Sequence, residues 1–366
     1  MTTRGGTLRL ATRGSDLALR QAATVKEALD GRRHAVELVE VETTGDQLQD
    51  ELIHRLGKTG AFVRALDEEV IDGDLDAAVH SMKDMPTEMP AALVVAGVPE
   101  RATAVDVLVT PDGTALADLP EGATVGTSSL RRQAQLLAER PDLDVQPLRG
   151  NVDTRIEKLL APTLQQEHER RLDAAEGEAD AATFERSLEE WFDGLREIER
   201  TALEREVETA YDGIVLAEAG LERAGLLHHV ETERLPADQF VPAPGQGALA
   251  VTALDGDLAE SIRGTLDHAP TRTATTVERT VLDELGGGCV APIGVNAVVQ
   301  GSVVHTAVRV LSRDGEEEVR ATRDLPVEHH RRAARDMAAE LADEGAADLI
   351  AAAKRAEPDE AKREDS

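Results

Sequence analysis

The sequence predicts an α/β protein of two lobes facing each other across a cleft, followed by a smaller C-terminal α+β domain with an antiparallel sheet. Three observations carry this expectation. Strand-like and helix-like runs alternate through the first hundred residues, with short connections between them. The same rhythm starts again near residue 106. From about residue 268 it gives way to one helix, three strand-like runs and a closing helix. Strand–helix–strand alternation indicates a parallel α/β sheet, and consecutive strands an antiparallel one.

In chain order, TLRLATR (7–13) reads as a strand and SDLALRQAATVKEAL (15–29) as a helix with Ser15 at its N-cap. A strand AVELVEVET (35–43), a helix AFVRALDEEVI (61–71) and an apolar run DAAVHS (76–81) follow. The second cycle holds DVLVT (106–110), ATVGTS (123–128), helix LRRQAQLLAER, DVQPL (144–148), helix NVDTRIEKLL (151–160) and GIVLAEAGLERAG (213–225). Residues 161–210 differ in kind, with 15 acidic and 6 basic side chains. Leu188, Trp191, Leu195, Ile198 and Ala202 keep a helical spacing there, so the segment reads as an acidic helical insertion. Its apolar stripe is expected to dock on the second lobe, and the insertion to be dispensable for chemistry.

Beyond it, helix TRTATTVERTVLDELG precedes three strand-like runs, VNAVVQG, VVHTAVRVLS and EEVRATRDLP, and an Ala-rich helix spans roughly 327–354. The expected division is residues 1–102 for the first lobe, completed by 245–266, and 103–242 for the second, including the insertion. Residues 268–356 form the C-terminal domain, and 357–366 a disordered acidic tail.

Composition narrows the function. Hydrophobic content is 41% but aromatic content only 2%, so the cores are aliphatic. A formal net charge of −31, from 71 acidic and 40 basic residues, argues against a nucleic-acid partner, because phosphate binding needs a cationic footprint. The acid excess fits adaptation to high salt, where screening removes the self-repulsion of such a surface. No apolar run reaches the ~18 residues of a membrane helix, and the first residues lack the apolar core of a signal peptide. With a single cysteine as well, the expected location is the cytoplasm, away from membranes.

Several motifs fail. GKT (57–59) resembles a P-loop but has Leu52 where that motif needs glycine. GQGALA (245–250) fits G-x-G-x-x-A but follows VPAP instead of a strand. One cysteine and scattered histidine pairs give no metal-ligand spacing, so no metal is expected.

What remains is a set of arginines at strand ends and helix starts: Arg13, Arg131, Arg132, Arg149, Arg155 and, late in the second lobe, Arg223. Helix N-termini bind anions, arginine adds a planar fork, and Thr127, Ser128 and Ser129 add hydroxyl donors. Any one of these arginines could instead be a surface partner for the abundant acids. Together, at the ends where α/β proteins bind ligands, they point to a polyanion site. In HSMKDMP (80–86), an extended chain would send Lys83 and Asp84 to opposite sides. Asp84 is a candidate catalytic carboxylate and Lys83 a further anion clamp, against the alternative of a salt bridge within a turn. Cys289, directly behind Gly286, Gly287 and Gly288, has three open readings: a small buried hydrophobe, a nucleophile, or an attachment point.

Seven stretches taken together resemble the porphobilinogen deaminase (hydroxymethylbilane synthase) family. They are LRLATRGS-x-LAL (8–19), AVHSMKDMP (78–86), VGTSSLRRQAQL (125–136), LRGNVDTR (148–155), LAEAGLERAGL (216–226), PAPGQGALA (242–250) and GGGCVAPIG (286–294). The resemblance implies two periplasmic-binding-protein-like lobes, a monomer, and one dipyrromethane cofactor per chain held by a thioether to Cys289. It implies a transferase that adds four porphobilinogen units to that cofactor with loss of ammonia, then releases hydroxymethylbilane by hydrolysis. Each pyrrole carries an acetate and a propionate. Their binding falls to Arg13, Ser15, Lys83, Thr127, Ser128, Ser129, Arg131, Arg132, Arg149, Arg155 and Arg223, and catalysis to Asp84.

Ser81 and Gln246, inside matching stretches, are further candidates. At one loop the chain departs from the family, with GKTG (57–60) before Ala61 and Phe62 where GGKG before Phe-Val is common. Lys58 is moved by one place and Arg55 stands where lysine is frequent. Two other readings compete. A solute-binding protein would explain the cleft but neither the thiol-bearing domain nor the lack of an export signal. A cysteine-dependent acyl transferase or hydrolase would leave the arginines without a role.

Overall fold

Thirteen short strands sort into three sheets in a computed structural model that describes residues 7–31, 35–41, 61–176, 184–288 and 291–363. In the first part of the chain, β1 is Thr7–Thr12, α1 Asp16–Leu29, β2 Ala35–Glu40, α2 Ala61–Ile71, β3 Ala77–Ser81 and β4 Leu93–Gly97. The middle holds β5 (Asp106–Thr110), β6 (Thr124–Gly126), α3 (Leu130–Glu139), β7 (Asp144–Gln146), α4 (Val152–Glu176), α5 (Leu188–Gly194), α6 (Glu197–Leu203), β8 (Gly213–Ala217), α7 (Glu218–Ala224) and β9 (Glu231–Arg234). Then come β10 (Leu249–Leu254), α8 (Asp257–Leu266), α9 (Ala269–Glu284), β11 (Ile293–Gln300), β12 (Val303–Leu311), β13 (Glu318–Pro326), α10 (His330–Leu341) and α11 (Ala347–Arg363).

The first sheet has the order β2-β1-β3-β10-β4 and the second β7-β6-β8-β5-β9, while β11-β12-β13 form a separate antiparallel sheet. The expectation of purely parallel lobes is corrected. β10 runs antiparallel to both β3 and β4, and β5 antiparallel to both β8 and β9. Both odd strands are entered from the other lobe, β5 through residues 98–105 and β10 through 235–248. Neither follows a helix of its own sheet, so the βαβ crossover that keeps neighbours parallel does not act on it.

Two-residue periodicity covers both faces of each lobe sheet. In the first lobe Leu8, Leu10, Ala77, Val79 and Val251 pack on one side, with Ala11, Ala78, Leu66 and Val70 on the other. In the second, Leu108, Val125, Val215 and Phe240 oppose Val107, Val109, Ile214, Ile156 and Leu221. The C-terminal sheet buries one face, where Val295, Val304 and Val308 meet Val277 and Val281 of α9 and Met337 and Leu341 of α10.

Three element boundaries differ from the sequence reading. The helix expected to stop at residue 160 runs on to Glu176 with Pro162 inside it, because good helix formers follow the proline. The apolar stripe of the insertion falls on two helices, since a capping box at Ser187 and Glu190 starts α5 and Glu199 folds back on the Arg196 amide to start α6. Trp191 and Ala202 are buried, and Ile198 packs on the second-lobe core. The closing helix breaks at Gly345, whose φ of 110° lies outside the helical region. It then resumes to Arg363, so helical backbone covers most of the tail expected to be structureless.

Candidate active site

β3 is buried until its last residue, Ser81, which is half-buried. The chain then tightens into a 3-10 turn over Met82–Asp84, so the extended backbone that would send Lys83 and Asp84 to opposite sides is absent. The cause is Met82. Its side chain is buried among Val63, Met85, Val98, Ala248 and Ala250, and its amide donates to the Ala248 carbonyl at 3.0 Å. With Met82 anchored, Lys83 and Asp84 both stay accessible. The surface they reach is the wall of a cleft. Although the Lys83 side chain reaches solvent, the protein crowded around it desolvates the ammonium and lowers its pKa; Asp84 beside it and Asp106 act to raise it, and Arg132 and Arg155 of the second lobe lower it.

On the facing lobe, Thr127, Ser128 and Ser129 shape the loop that leads into α3. The Thr127 hydroxyl accepts from the Ser129 amide at 3.2 Å, Ser128 donates to the Leu148 carbonyl at 2.7 Å, and Ser129 caps α3 by accepting from the Arg132 amide at 3.5 Å. Ser128 is exposed and Thr127 buried. Ser15 caps α1 in the same manner, accepting from the Ala18 amide at 3.4 Å.

Arg131 and Arg132 are both buried and share one carboxylate. Asp106 Oδ2 accepts from Arg131 Nη2 at 2.7 Å, while Oδ1 accepts from Arg132 Nη2 at 2.8 Å and Nε at 3.1 Å. The Gln246 amide also donates to Oδ1, at 2.8 Å. Burial opposes the charge of Asp106, but the two guanidinium groups overcome it and hold its pKa at about 2. Arg131 donates in addition to the Val241 carbonyl and Arg132 to that of Val215. One buried donor of this cluster, Arg131 Nε, makes no hydrogen bond among the described residues.

Arg155 lies in the first turn of α4, where Nε donates to the Gly150 carbonyl at 2.8 Å. Burial and then the neighbouring Arg132 bring its pKa down to about 10. Arg223 Nη2 donates to the carbonyl of Gly247, in the segment that returns the chain to the first lobe, and burial lowers its pKa. Arg13 stands half-buried just past β1, and Arg149 half-buried in the loop before α4. Thus Lys83, Asp84, Arg132 and Arg155 gather in one electrostatic cluster, with Arg131 and Gln246 in the buried layer that supports it. Cys289, Lys58 and Arg55 lie outside the described residues.

Sequence reasoning missed the acids under this site. Asp106 is the one charged residue of DVLVT, a run otherwise buried and apolar or hydroxylic. Glu278 is fully buried on the face of α9 that also carries Ala274, Val277 and Val281. It accepts from Arg101 at 2.6 Å and from the amides of Gly245 and Ala297 at 2.7 and 2.8 Å. Each acid interrupts an apolar pattern, and that interruption is the signal that could have found it.

Comparison with known proteins identifies a family. Residues 8–167 and 192–261 match the family described as "Porphobilinogen deaminase, dipyromethane cofactor binding domain". Residues 272–344 match "Porphobilinogen deaminase, C-terminal domain". A probable porphobilinogen deaminase of Halobacterium salinarum is 55% identical over 94% of this chain and 97% of its own length. The porphobilinogen deaminase of Desulforudis audaxviator is 39% identical over 93% and 96% respectively. Among solved structures, the periplasmic aliphatic sulphonate binding protein SsuA from Escherichia coli aligns with 77% of this chain and 70% of its own, at a TM-score of 0.33 and 14% identity.

Proposed function

This chain belongs to the porphobilinogen deaminase family, with its dipyrromethane cofactor binding domain, and on that premise we propose how its residues carry the reaction. The substrate is porphobilinogen and the pathway is tetrapyrrole synthesis. The finer reading is a transferase that condenses four porphobilinogen units onto a dipyrromethane joined to Cys289, then releases hydroxymethylbilane.

The observation that carries this reading is that Asp84, beside Lys83 on an exposed turn, and Arg132 and Arg155 of the facing lobe all lie near enough to act on the Lys83 ammonium. The residues suit the cofactor. Pyrroles bearing acetate and propionate groups are polycarboxylates, and the cleft offers Lys83 and Arg155, cations whose charge desolvation disfavours. When bound, the dipyrromethane supplies the pyrrole carbon onto which the first substrate is joined.

The protein's part is binding and electrostatics. Arg132, Arg155 and Lys83 would pair with pyrrole carboxylates, which returns to Lys83 and Arg155 the stabilisation that desolvation removes. Ser128, by turning its hydroxyl from the Leu148 carbonyl, would add a donor for a pyrrole carboxylate, and Arg13 and Arg149 would extend the cationic wall. Arg131 and Gln246 would act beneath the surface, by fixing Asp106 and hence Arg132. Asp84 stands where positive charge develops as ammonia leaves, and its carboxylate would stabilise that charge. Arg223 would tie the second lobe to the returning segment at Gly247.

We further propose a monomer in the cytoplasm, divided at residues 1–102 with 245–266, 103–242, and 268–356. The deciding experiment is the intact mass of the purified protein beside a Cys289→Ser variant, before and after incubation with porphobilinogen. An excess of two linked pyrroles in the parent and none in the variant is expected. A bare polypeptide mass in both, unchanged by substrate, would refute the attachment.

A further inference from the structure

The turn that carries Lys83 and Asp84 is held from behind by a residue that lies nearly two hundred positions later in the chain. Arg279, half-buried on α9, directs its guanidinium at three main-chain carbonyls. Nη1 donates to Met85 at 3.1 Å and to Met82 at 3.4 Å, and Nη2 to Pro86 at 2.5 Å. One of these carbonyls precedes the Lys83–Asp84 pair and two follow it. A planar fork can bracket a turn in this way, whereas a point charge cannot.

The arm that delivers this fork is itself fixed. The preceding residue, Glu278, is fully buried and bonded to Arg101, Gly245 and Ala297. Nearly two helical turns before Arg279, Arg272 grips Asp267 and donates to the Val95 carbonyl at 3.1 Å. Behind the turn lies a cavity of about 420 Å³ lined by Met82, Thr87, Met89, Thr275, Arg279 and Arg335, among others. The turn therefore borders open space on that side, and Arg279 is the lining residue that bonds to its main chain.

We propose that Arg279 is a positioning residue for the reaction: its fork, presented by α9, sets the main chain of residues 82–86 so that Asp84 and Lys83 face the cleft. The proposal rests on the reading of Asp84 as the carboxylate that stabilises developing charge. It makes the geometry of the reacting centre depend on the C-terminal unit, which also bears Cys289. Displacing a catalytic group by an ångström costs about a hundredfold in rate. Loss of the fork should therefore lower kcat while leaving the carboxylate-binding arginines, and so KM, largely intact.

The test compares Arg279→Gln, Arg279→Lys, Arg335→Gln and Asp84→Ala in the holoenzyme, with intact mass, melting temperature, kcat and KM for porphobilinogen measured on each. Arg279→Gln is expected to keep the cofactor mass, to lose roughly 10- to 100-fold in kcat and to change KM by less than about threefold. Arg279→Lys should recover part of that loss, and Arg335→Gln should behave as the parent. An Arg279→Gln kcat within about twofold of the parent, beside an inactive Asp84→Ala, would overturn the positioning role and leave Asp84 in place. An active Asp84→Ala would overturn the reading beneath it. Should Arg279→Gln not fold, parental kcat in Arg279→Lys would overturn the role, as would an equal loss in Arg335→Gln.

Discussion

Replacing Asp106 by Asn keeps shape but removes the charge that two buried arginines share and turns one of its two accepting oxygens into an NH2 donor. The cost can be worked from the structure. The carboxyl is held at about 2 against an ordinary value of 3.8, which corresponds to roughly 2–3 kcal/mol. That figure is a floor, because breaking a buried ion pair by removing one partner costs about 3–5 kcal/mol. Unfolding entropy near 2.1 cal/mol/K per residue gives about 0.8 kcal/mol/K for 366 residues unfolding as one unit. Asp106→Asn should therefore lower Tm by about 3–6 °C, and by more if the second lobe unfolds on its own.

The sign with pH follows from linkage. A depressed carboxyl pKa stabilises the fold above its unfolded value, and that stabilisation is lost as pH falls through the folded value. The gap between parent and variant should thus be full above about pH 4 and shrink towards about pH 2. Thermal melts of both proteins at fixed high salt, across that range, read it directly. A variant melting within about 1 °C of the parent at neutral pH would refute the claim that Asp106 organises Arg131 and Arg132.

Three further outcomes are expected. Gly315, with φ of 77°, seats the β12–β13 hairpin on α3, where a Cβ would lie 2.6 Å from the Ala134 carbonyl oxygen and from the Ala138 amide nitrogen. Gly315→Ala should destabilise by about 1–3 kcal/mol in chemical denaturation, and an unchanged midpoint would show that the hairpin does not dock there. Arg155→Gln should yield protein that lacks the dipyrromethane mass or stalls during chain growth, and normal assembly and turnover would remove Arg155 from the cleft wall. With a net charge of −31, moving the protein from molar KCl to dilute buffer should lower Tm sharply, and a flat melting curve across that range would refute the high-salt reading of the acid excess.

Local order is legible in the sequence. The N-cap at Ser15, the helix 16–29 and the three C-terminal strands follow from periodicity and capping within a few residues, and the structure has them. Strand direction is not legible, because β5 and β10 take theirs from the lobe they leave. The turn at 82–84 is not legible either, since it depends on Met82 burying itself against residues 248 and 250. The helix past residue 160 and the break at Gly345 show the same limit at element ends.

The site divides along the same line. Contiguous motifs are enough to establish that a strongly anionic chain concentrates arginines at strand ends and helix starts, and that a Lys-Asp pair follows a buried strand. Which of those arginines face the cleft, and which are neutralised beneath it, depends on contacts between distant segments. Asp106 meets Arg131 and Arg132 across 25 and 26 residues, and Arg279 meets the Lys83–Asp84 turn across more than 190. A buried charge is set by whatever partner the fold brings within about 3 Å, and that distance is a property of packed sheets and helices, not of neighbouring residues.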